Sequence, residues 1–298
     1  MSPATRVLHW YDQHGRTLPW RDTENAYQIL VSEIMLQQTQ VSRVLEYYPR
    51  WLALFPDWTS LAQATNAEVI RAWSGLGYNR RALMLRDIAR AVLARGEPKN
   101  QQDWQTLKGI GPYTAAALAA FSLHARILPI DTNIRRVGAR LLLGVPFPSL
   151  KQDERIQRAA ENFLPRRGRF YEIPQALFDL ATLVCTKTPH CLTCPMRSTC
   201  LAAPKFIAGR IRIPKRSIKK SVETRHRDKP YPDRIYRGRI LHLVQKKRRV
   251  SLKRVGALID ETFDATQDQA WLLRMLDRME KDHLIDLKTR FVQLHVET

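Results

Sequence analysis

The chain has 298 residues, 44% of them apolar, enough for two moderate cores or one large and one small. Its 49 Lys and Arg stand against 28 Asp and Glu, a formal charge of +21 that folding does not need and that works against compactness. Such a balance points to a polyanionic partner, DNA, RNA or an acidic membrane surface, and on charge alone also fits a ribosome-associated or chromatin-coating protein. No run is long and apolar enough for a spanning helix, and the opening MSPATRVLHWYDQHG lacks the apolar core of a signal peptide. The expectation is a soluble, cytoplasmic protein (nucleoid-associated in a bacterium) without a membrane partner.

Along the chain, Tyr27 to Leu36 carries apolar residues at 27, 30, 31, 34 and 35, a helical stripe with Glu33 at its edge. Taken alone, such a glutamate reads as solvated surface. Gln37-Gln38-Thr39-Gln40 interrupts the stripe, and a second helix runs through Val41, Val44, Leu45 and Tyr48. Thr65-Asn66-Ala67-Glu68 has capping-box form and starts a helix that Gly75 and Gly77 end. Helical spacing resumes over Arg80–Leu93. Gly75-Leu76-Gly77 and Gly109-Ile110-Gly111 each begin like a dinucleotide fingerprint, but neither follows a strand and both lack the third glycine.

The stretch from Leu107 to Val137 organises the rest. Leu107-Lys108-Gly109-Ile110-Gly111-Pro112 is an apolar–Gly–apolar–Gly hairpin running into an apolar helix, with Pro112 suited to the first helical position. Gly109 and Gly111 admit positive φ and close approach of backbone to a ligand. Exposed amides behind them make a seat for one phosphate. About twenty residues on, Asp131 precedes the basic Asn133-Ile134-Arg135-Arg136, where it serves equally as a helix N-cap. A phosphate grip followed by one carboxylate in a basic setting points to chemistry on a nucleic acid.

All four cysteines fall in Cys185-x6-Cys191-x2-Cys194-x5-Cys200. Disulfides are rare inside cells, so the group reads as a metal or cluster site. Zinc is the general expectation for four cysteines, usually on two C-x-x-C knuckles, and only one such pair exists here. Residues 205–233 are rich in Pro and in Lys/Arg and read as a basic linker, either a solvated tail or a backbone contact without sequence preference. Beyond it, helices at 234–244, from Ser251 and around Trp271–Met279 precede a strand in which Val292, Leu294 and Val296 alternate with polar residues. Three helices followed by a strand pair predict a small winged-helix-like α+β module over 234–298, a pattern that also serves packing or partner binding.

The order of these parts resembles the helix-hairpin-helix glycosylases of the endonuclease III superfamily. Ser32-Glu33-Ile34-Met35-Leu36-Gln37-Gln38-Thr39-Gln40-Val41 and Trp73-Ser74-Gly75-Leu76-Gly77-Tyr78 are similar to the A/G-mismatch adenine glycosylases within it. The resemblance covers roughly residues 7–204 and implies an all-α fold. A six-helix barrel with the hairpin is expected over 23–130, and an iron–sulfur lobe from 1–22 and 131–204. It implies a monomeric, monofunctional enzyme that removes adenine mispaired with 8-oxoguanine or guanine in double-stranded DNA.

By that resemblance Glu33 protonates the base, its pKa raised by burial, and Asp131, held ionised by capping, stabilises the oxocarbenium-like sugar. Tyr113 stands where strand-cutting relatives carry a lysine, and a phenol forms no Schiff base. Lys108, Gly109 and Gly111 contact phosphates, and Gln38, Thr39, Leu76 and Tyr78 read the partner strand, with an apolar or aromatic wedge filling the gap left by the extruded base. From residues alone, Leu76 and Tyr78 would be core. Cys185, Cys191, Cys194 and Cys200 would hold a [4Fe–4S] cluster that sets Lys187 and Arg197 against phosphates. Thr132 departs from the adenine enzymes, which usually place glycine there, and from their β-rich C-terminal domain nothing in 205–298 has the length. The tail is therefore expected to add affinity without reading bases. Rival readings are a thymine/uracil glycosylase for T:G or U:G mismatches and a non-catalytic iron–sulfur DNA-binding protein.

Overall fold

The computed structural model describes residues 1–214 and 223–295. Among them no strand precedes residue 249, in line with the all-α expectation. The helices are α1 (Pro3–His14), α2 (Ala26–Leu36), α3 (Val41–Leu54), α4 (Trp58–Gln63), α5 (Asn66–Ala72), α6 (Arg80–Arg95), α7 (Gln101–Gln105) and α8 (Pro112–Ser122). There follow α9 (Thr132–Leu143), α10 (Asp153–Phe163), α11 (Ile173–Leu183), α12 (Ala203–Ile207), α13 (Asp233–Lys247), α14 (Leu252–Ile259) and α15 (Ala265–Lys281). Three short strands follow among the described residues: β1 (Arg249–Ser251), β2 (Ile285–Leu287) and β3 (Phe291–Leu294). No helix among the described residues is long and apolar enough to cross a membrane.

Two compact units emerge, one from Met1–Glu33 with the described part of Glu97–Arg216, the other from Ile34–Gly96 with the described part of Ser217–Thr298. In the first, α1, α9, α10 and α11 close around Val7, Trp10, Ile134, Val137, Ile156, Ile173 and Leu177. The fully buried Asp179 of α11 ties in the N-terminal segment, accepting from Arg16 Nε at 2.7 Å and Arg21 Nη1 at 2.8 Å. Those guanidiniums hold its carboxyl below the usual range against the cost of burial. An ion pair this deep is worth little as a pair, but losing either partner leaves a buried charge uncompensated.

In the second unit α3 to α6 pack around Trp51 and Trp73, whose rings meet edge-to-face at 5.2 Å. The capping box read at Thr65 is present, with Thr65 accepting from the Glu68 amide. The C-terminal part folds in the order α13, β1, α14, α15, β2, β3 into a small α+β module, its antiparallel sheet ordered β1-β3-β2. Tyr236, Ile240, Val255, Trp271, Met275 and Val292 form its core.

Strand β1 was not expected, because three residues carrying one inward side chain, Val250, leave no alternation to see. Ser251, from which the second helix of the module was expected to start, ends β1 and precedes α14 without a side-chain cap hydrogen bond. Val296 lies outside the described residues, as does part of the basic stretch 205–233. The end of that stretch packs on the module: buried Lys229 pairs with Asp260 at 2.6 Å and Asp268 at 2.7 Å.

The module is seated on the 34–96 half of its unit. Gln245 of α13 accepts from Ser74 Oγ at 2.9 Å and donates to the Ile70 carbonyl at 3.3 Å. Asn66 donates to the His283 carbonyl at 3.4 Å, and Arg80 pairs with Asp282 at 3.5 Å.

Candidate active site

Three of the sequence-selected residues meet in the first unit. Glu33 lies on α2, a helix buried on nearly every side, so the edge position read from the stripe is in fact interior: Glu33 is 9% exposed. Its carboxyl is hydrogen-bonded to the phenol of Tyr113, which enters from the second position of α8. Burial, reinforced by the nearby Asp131 charge, pushes Glu33 up to about 7 against the opposing pull of that hydrogen bond. Tyr113 is raised well above its ordinary value by the same burial and by both carboxylates, so it stays a neutral phenol.

Asp131 caps α9. Its Oδ1 accepts from the Asn133 and Ile134 amides at 2.7 Å each, and its Oδ2 from Asn133 Nδ2 at 2.8 Å. Capping was expected to settle its charge. Burial is the larger influence, however, and raises Asp131, while the amide donors, Asn133 and Arg136 pull the other way. The two acids still differ in kind. Glu33 faces one phenol in an apolar setting, whereas Asp131 is ringed by N–H donors that favour its ionised form.

Ahead of Tyr113, the hairpin exposes Lys108, Gly109 and Gly111 and buries Leu107 and Ile110. Gly109 sits at φ +99°, which side chains disfavour. Gly111 does not need that freedom: its φ is −84°, and it precedes α8 as an N-cap with no side chain to bond the first-turn amides. Those amides remain open to an anion.

In the second unit, Gln38, Thr39 and Leu76 line one open pocket together with Gln40, Arg43 and Gly75. Leu76 is buried and lies at its floor, so of the two candidate wedges only Tyr78 stands out, 64% exposed. Tyr78 holds φ +50°, rare for a bulky residue, between Gly75 at +99° and the exposed end of α6. A side chain at Gly75 would collide with the Tyr47 hydroxyl, which itself donates to the Ser74 carbonyl at 2.9 Å.

Sequence reading missed Arg81, which organises this group. Buried at 8% exposure, it donates to the carbonyls of Ile34, Met35, Gln37 and Gly77 and to Thr39 Oγ1. Its guanidinium also lies over the rings of Trp73, at 5.2 Å, and Tyr78, at 5.5 Å. One planar cation thus caps the end of α2 and holds both reader segments. Nothing in the helical spacing of 80–93 distinguishes it from its neighbour Arg80.

All four cysteines line one pocket in the first unit, with Val184, Pro189 and Phe206 as apolar walls. Among the described residues no three His, Cys, Asp or Glu side chains converge as closely as a single ion requires. Burial pushes the Cys194 thiol up to about 12 and raises Cys191 and Cys200. N–H donors reach the sulfurs: Arg140 Nη1 at 3.5 Å from Cys185 Sγ, the Met196 amide at Cys194, and the Ala202 and Ala203 amides at Cys200.

Helix α9 links this pocket to Asp131. Arg136 Nε donates to the Cys185 carbonyl at 2.8 Å. Arg140, 2% exposed, donates to the carbonyls of Pro146, Thr186 and Lys187. In the sequence Arg136 was visible only as part of the basic stretch after Asp131, and Arg140 did not stand out. Lys187 and Arg197 expose their side chains on the cysteine loop.

Comparison with known proteins bears on this arrangement. Residues 31–166 match the HhH-GPD superfamily base excision DNA repair protein family. The adenine DNA glycosylase of Mycolicibacterium smegmatis is 34% identical over 292 residues, 96% of this chain and 90% of that protein. That of Mycobacterium tuberculosis is 42% identical over 201 residues, 64% of this chain and 65% of that protein, just under two thirds of its length. Among solved structures, a thermostable thymine-DNA glycosylase superposes with a TM-score of 0.62 at 25% identity, over 68% of this chain and 95% of that one. The chain therefore belongs to the HhH-GPD superfamily of base-excision DNA repair proteins, and within it to the family of the adenine DNA glycosylases.

Proposed function

We propose that this protein binds double-stranded DNA and hydrolyses the N-glycosidic bond of adenine paired with 8-oxoguanine or guanine. The observation that carries the reading is Glu33, a buried carboxyl held near pH 7, hydrogen-bonded to Tyr113, in one site with the capped Asp131. Adenine leaves badly as an anion. A proton from Glu33 to N7 weakens the bond between C1′ and N9, and the base departs neutral. The positive charge left on the sugar falls to Asp131, and water adds at C1′ as its proton is lost. Tyr113 orients Glu33. The experiment is single-turnover incubation with duplexes carrying 8-oxoguanine:A, G:A, T:G and U:G. Release of adenine from the first two supports the reading, and release of thymine or uracil instead replaces it with the rival glycosylase.

With a phenol in place of an amine, the enzyme is expected to leave abasic sites uncut and to form no borohydride-trapped adduct with DNA. Efficient trapping would give that role to another amine, first to Lys108, exposed on the hairpin.

Cys185, Cys191, Cys194 and Cys200 suit a [4Fe–4S] cluster. Zinc sites built on four cysteines usually use two C-x-x-C pairs, whereas here Cys191 and Cys194 form the one such pair and all four cysteines line one pocket. The N–H groups aimed at the sulfurs suit bound thiolates, and the arginines of α9 hold the loop. When bound, a cluster would cross-link the loop that carries Lys187 and Arg197. Purified protein should be yellow-brown with about four irons per chain. One zinc per chain and no visible absorbance would contradict this.

A further inference from the structure

We infer that the C-terminal module carries a second DNA-contacting surface, at the turn from α13 through β1 into α14 rather than on its third helix. The inference rests on the proposed action on DNA. Its first support is charge. Lys246, Lys247, Arg248, Arg249, Lys253 and Arg254 are all exposed within nine residues, with Val250 alone buried among them. No acidic residue falls in that span. The β2–β3 turn adds exposed Arg290, whose carbonyl accepts from the Leu252 amide at 3.0 Å, so the two turns are adjacent. Lys253 and Arg254 also occupy the first turn of α14, where a helix dipole disfavours cations. This concentration of like charge is relieved by a polyanion.

The third helix, α15, lacks this character. Its outer face mixes Arg274 and Arg278 with Asp277, and Asp277 pairs with Lys281 at 2.8 Å. A surface balanced in this way gains little from phosphates.

The second support is position. Gln245, the residue before the basic run, holds Ser74 and the Ile70 carbonyl, and Ser74 begins the segment Gly75–Tyr78. The basic turn is therefore fixed in register with Tyr78 inside one compact unit. A duplex read at Gln38, Thr39 and Tyr78 would carry its flanking phosphates along the turn. Contacts of this type position a duplex and do not read its sequence.

The test uses full-length protein and the quadruple variant Lys246→Gln, Lys247→Gln, Lys253→Gln, Arg254→Gln. None of these four side chains is engaged in an ion pair or hydrogen bond among the described residues. Binding to a duplex of about 30 base pairs is measured across a salt series. Each lost phosphate contact lowers the slope of log K against log salt by about 0.9, so the variant, four contacts short, should lose about 3.6 from it.

An unchanged slope overturns the inference. So does an equal loss of slope in Arg274→Gln, Arg278→Gln, Lys281→Gln, which would move the contact to α15. A loss seen only with an RNA duplex would assign the turn to RNA. Absence of excision by every protein on every duplex would instead sink the proposed activity, leaving the binding result to stand alone.

Discussion

Glu33→Gln is expected to lose excision and gain stability. A general acid contributes about 10²–10⁴-fold, and glutamine cannot donate the proton, so single-turnover release of adenine should fall by that range. Binding to mismatched DNA should survive. The stability effect follows from the raised pKa. An unfolded glutamate titrates near 4.5, while Glu33 in the fold titrates near 7. Between those values the folded protein holds a proton that the unfolded chain has released, so stability falls as pH rises through that window and levels off above it. The difference corresponds to about 3 kcal/mol at pH 8. The variant, carrying no charge to bury, should resist urea better than wild type at pH 8, with the gap closing toward pH 4.5. A variant that excises adenine at the wild-type rate would remove Glu33 from the chemistry, and one less stable at pH 8 would deny that its charge is costly to bury.

Asp131→Asn separates the two roles that share this side chain. Asparagine caps helices about as well as aspartate, so α9 should keep its Asn133 and Ile134 amides satisfied and stability should change by less than about 1 kcal/mol. The charge facing the developing cation is gone, and excision should drop by about 10²–10³. Asp131→Ala should show the same loss of rate and in addition lose about 1 kcal/mol with the cap. Wild-type rates in Asp131→Asn, measured in single turnover, would leave Asp131 as a cap only.

Much of this arrangement was legible in the sequence. The hairpin leading into α8, the capping box at Thr65 and the helical stripe of α2 are local patterns, and each appears where its spacing places it. The grouping of Glu33, Tyr113 and Asp131 came from resemblance to a family, because no periodicity links residues nearly a hundred positions apart. Burial of Glu33 was not visible locally: the stripe placed it at an edge, and the opposite side of α2 is covered by tertiary contacts that helical spacing does not report.

The arginines escaped notice for a related reason. In a chain with 49 Lys and Arg, nothing local separates buried Arg81 and Arg140 or half-buried Arg136 from solvated ones, since their value lies in distant carbonyls they satisfy. The seating of the tail was not legible either: Gln245 bonds to Ser74 and Ile70 and so couples the module to the segment bearing Tyr78. Removing 206–298 would therefore disturb that segment as well as weaken binding.

The central claim is that a carboxyl kept neutral by burial delivers the proton to adenine. Its most direct test is the pH profile of single-turnover excision from an 8-oxoguanine:A duplex at saturating wild-type enzyme. With Glu33 titrating near 7, the rate should hold at a plateau just below that pH, down to where Asp131 takes up a proton, and fall about tenfold per unit above it, as the acid is lost. A rate that stays level or climbs from pH 7 to 9 would contradict the account.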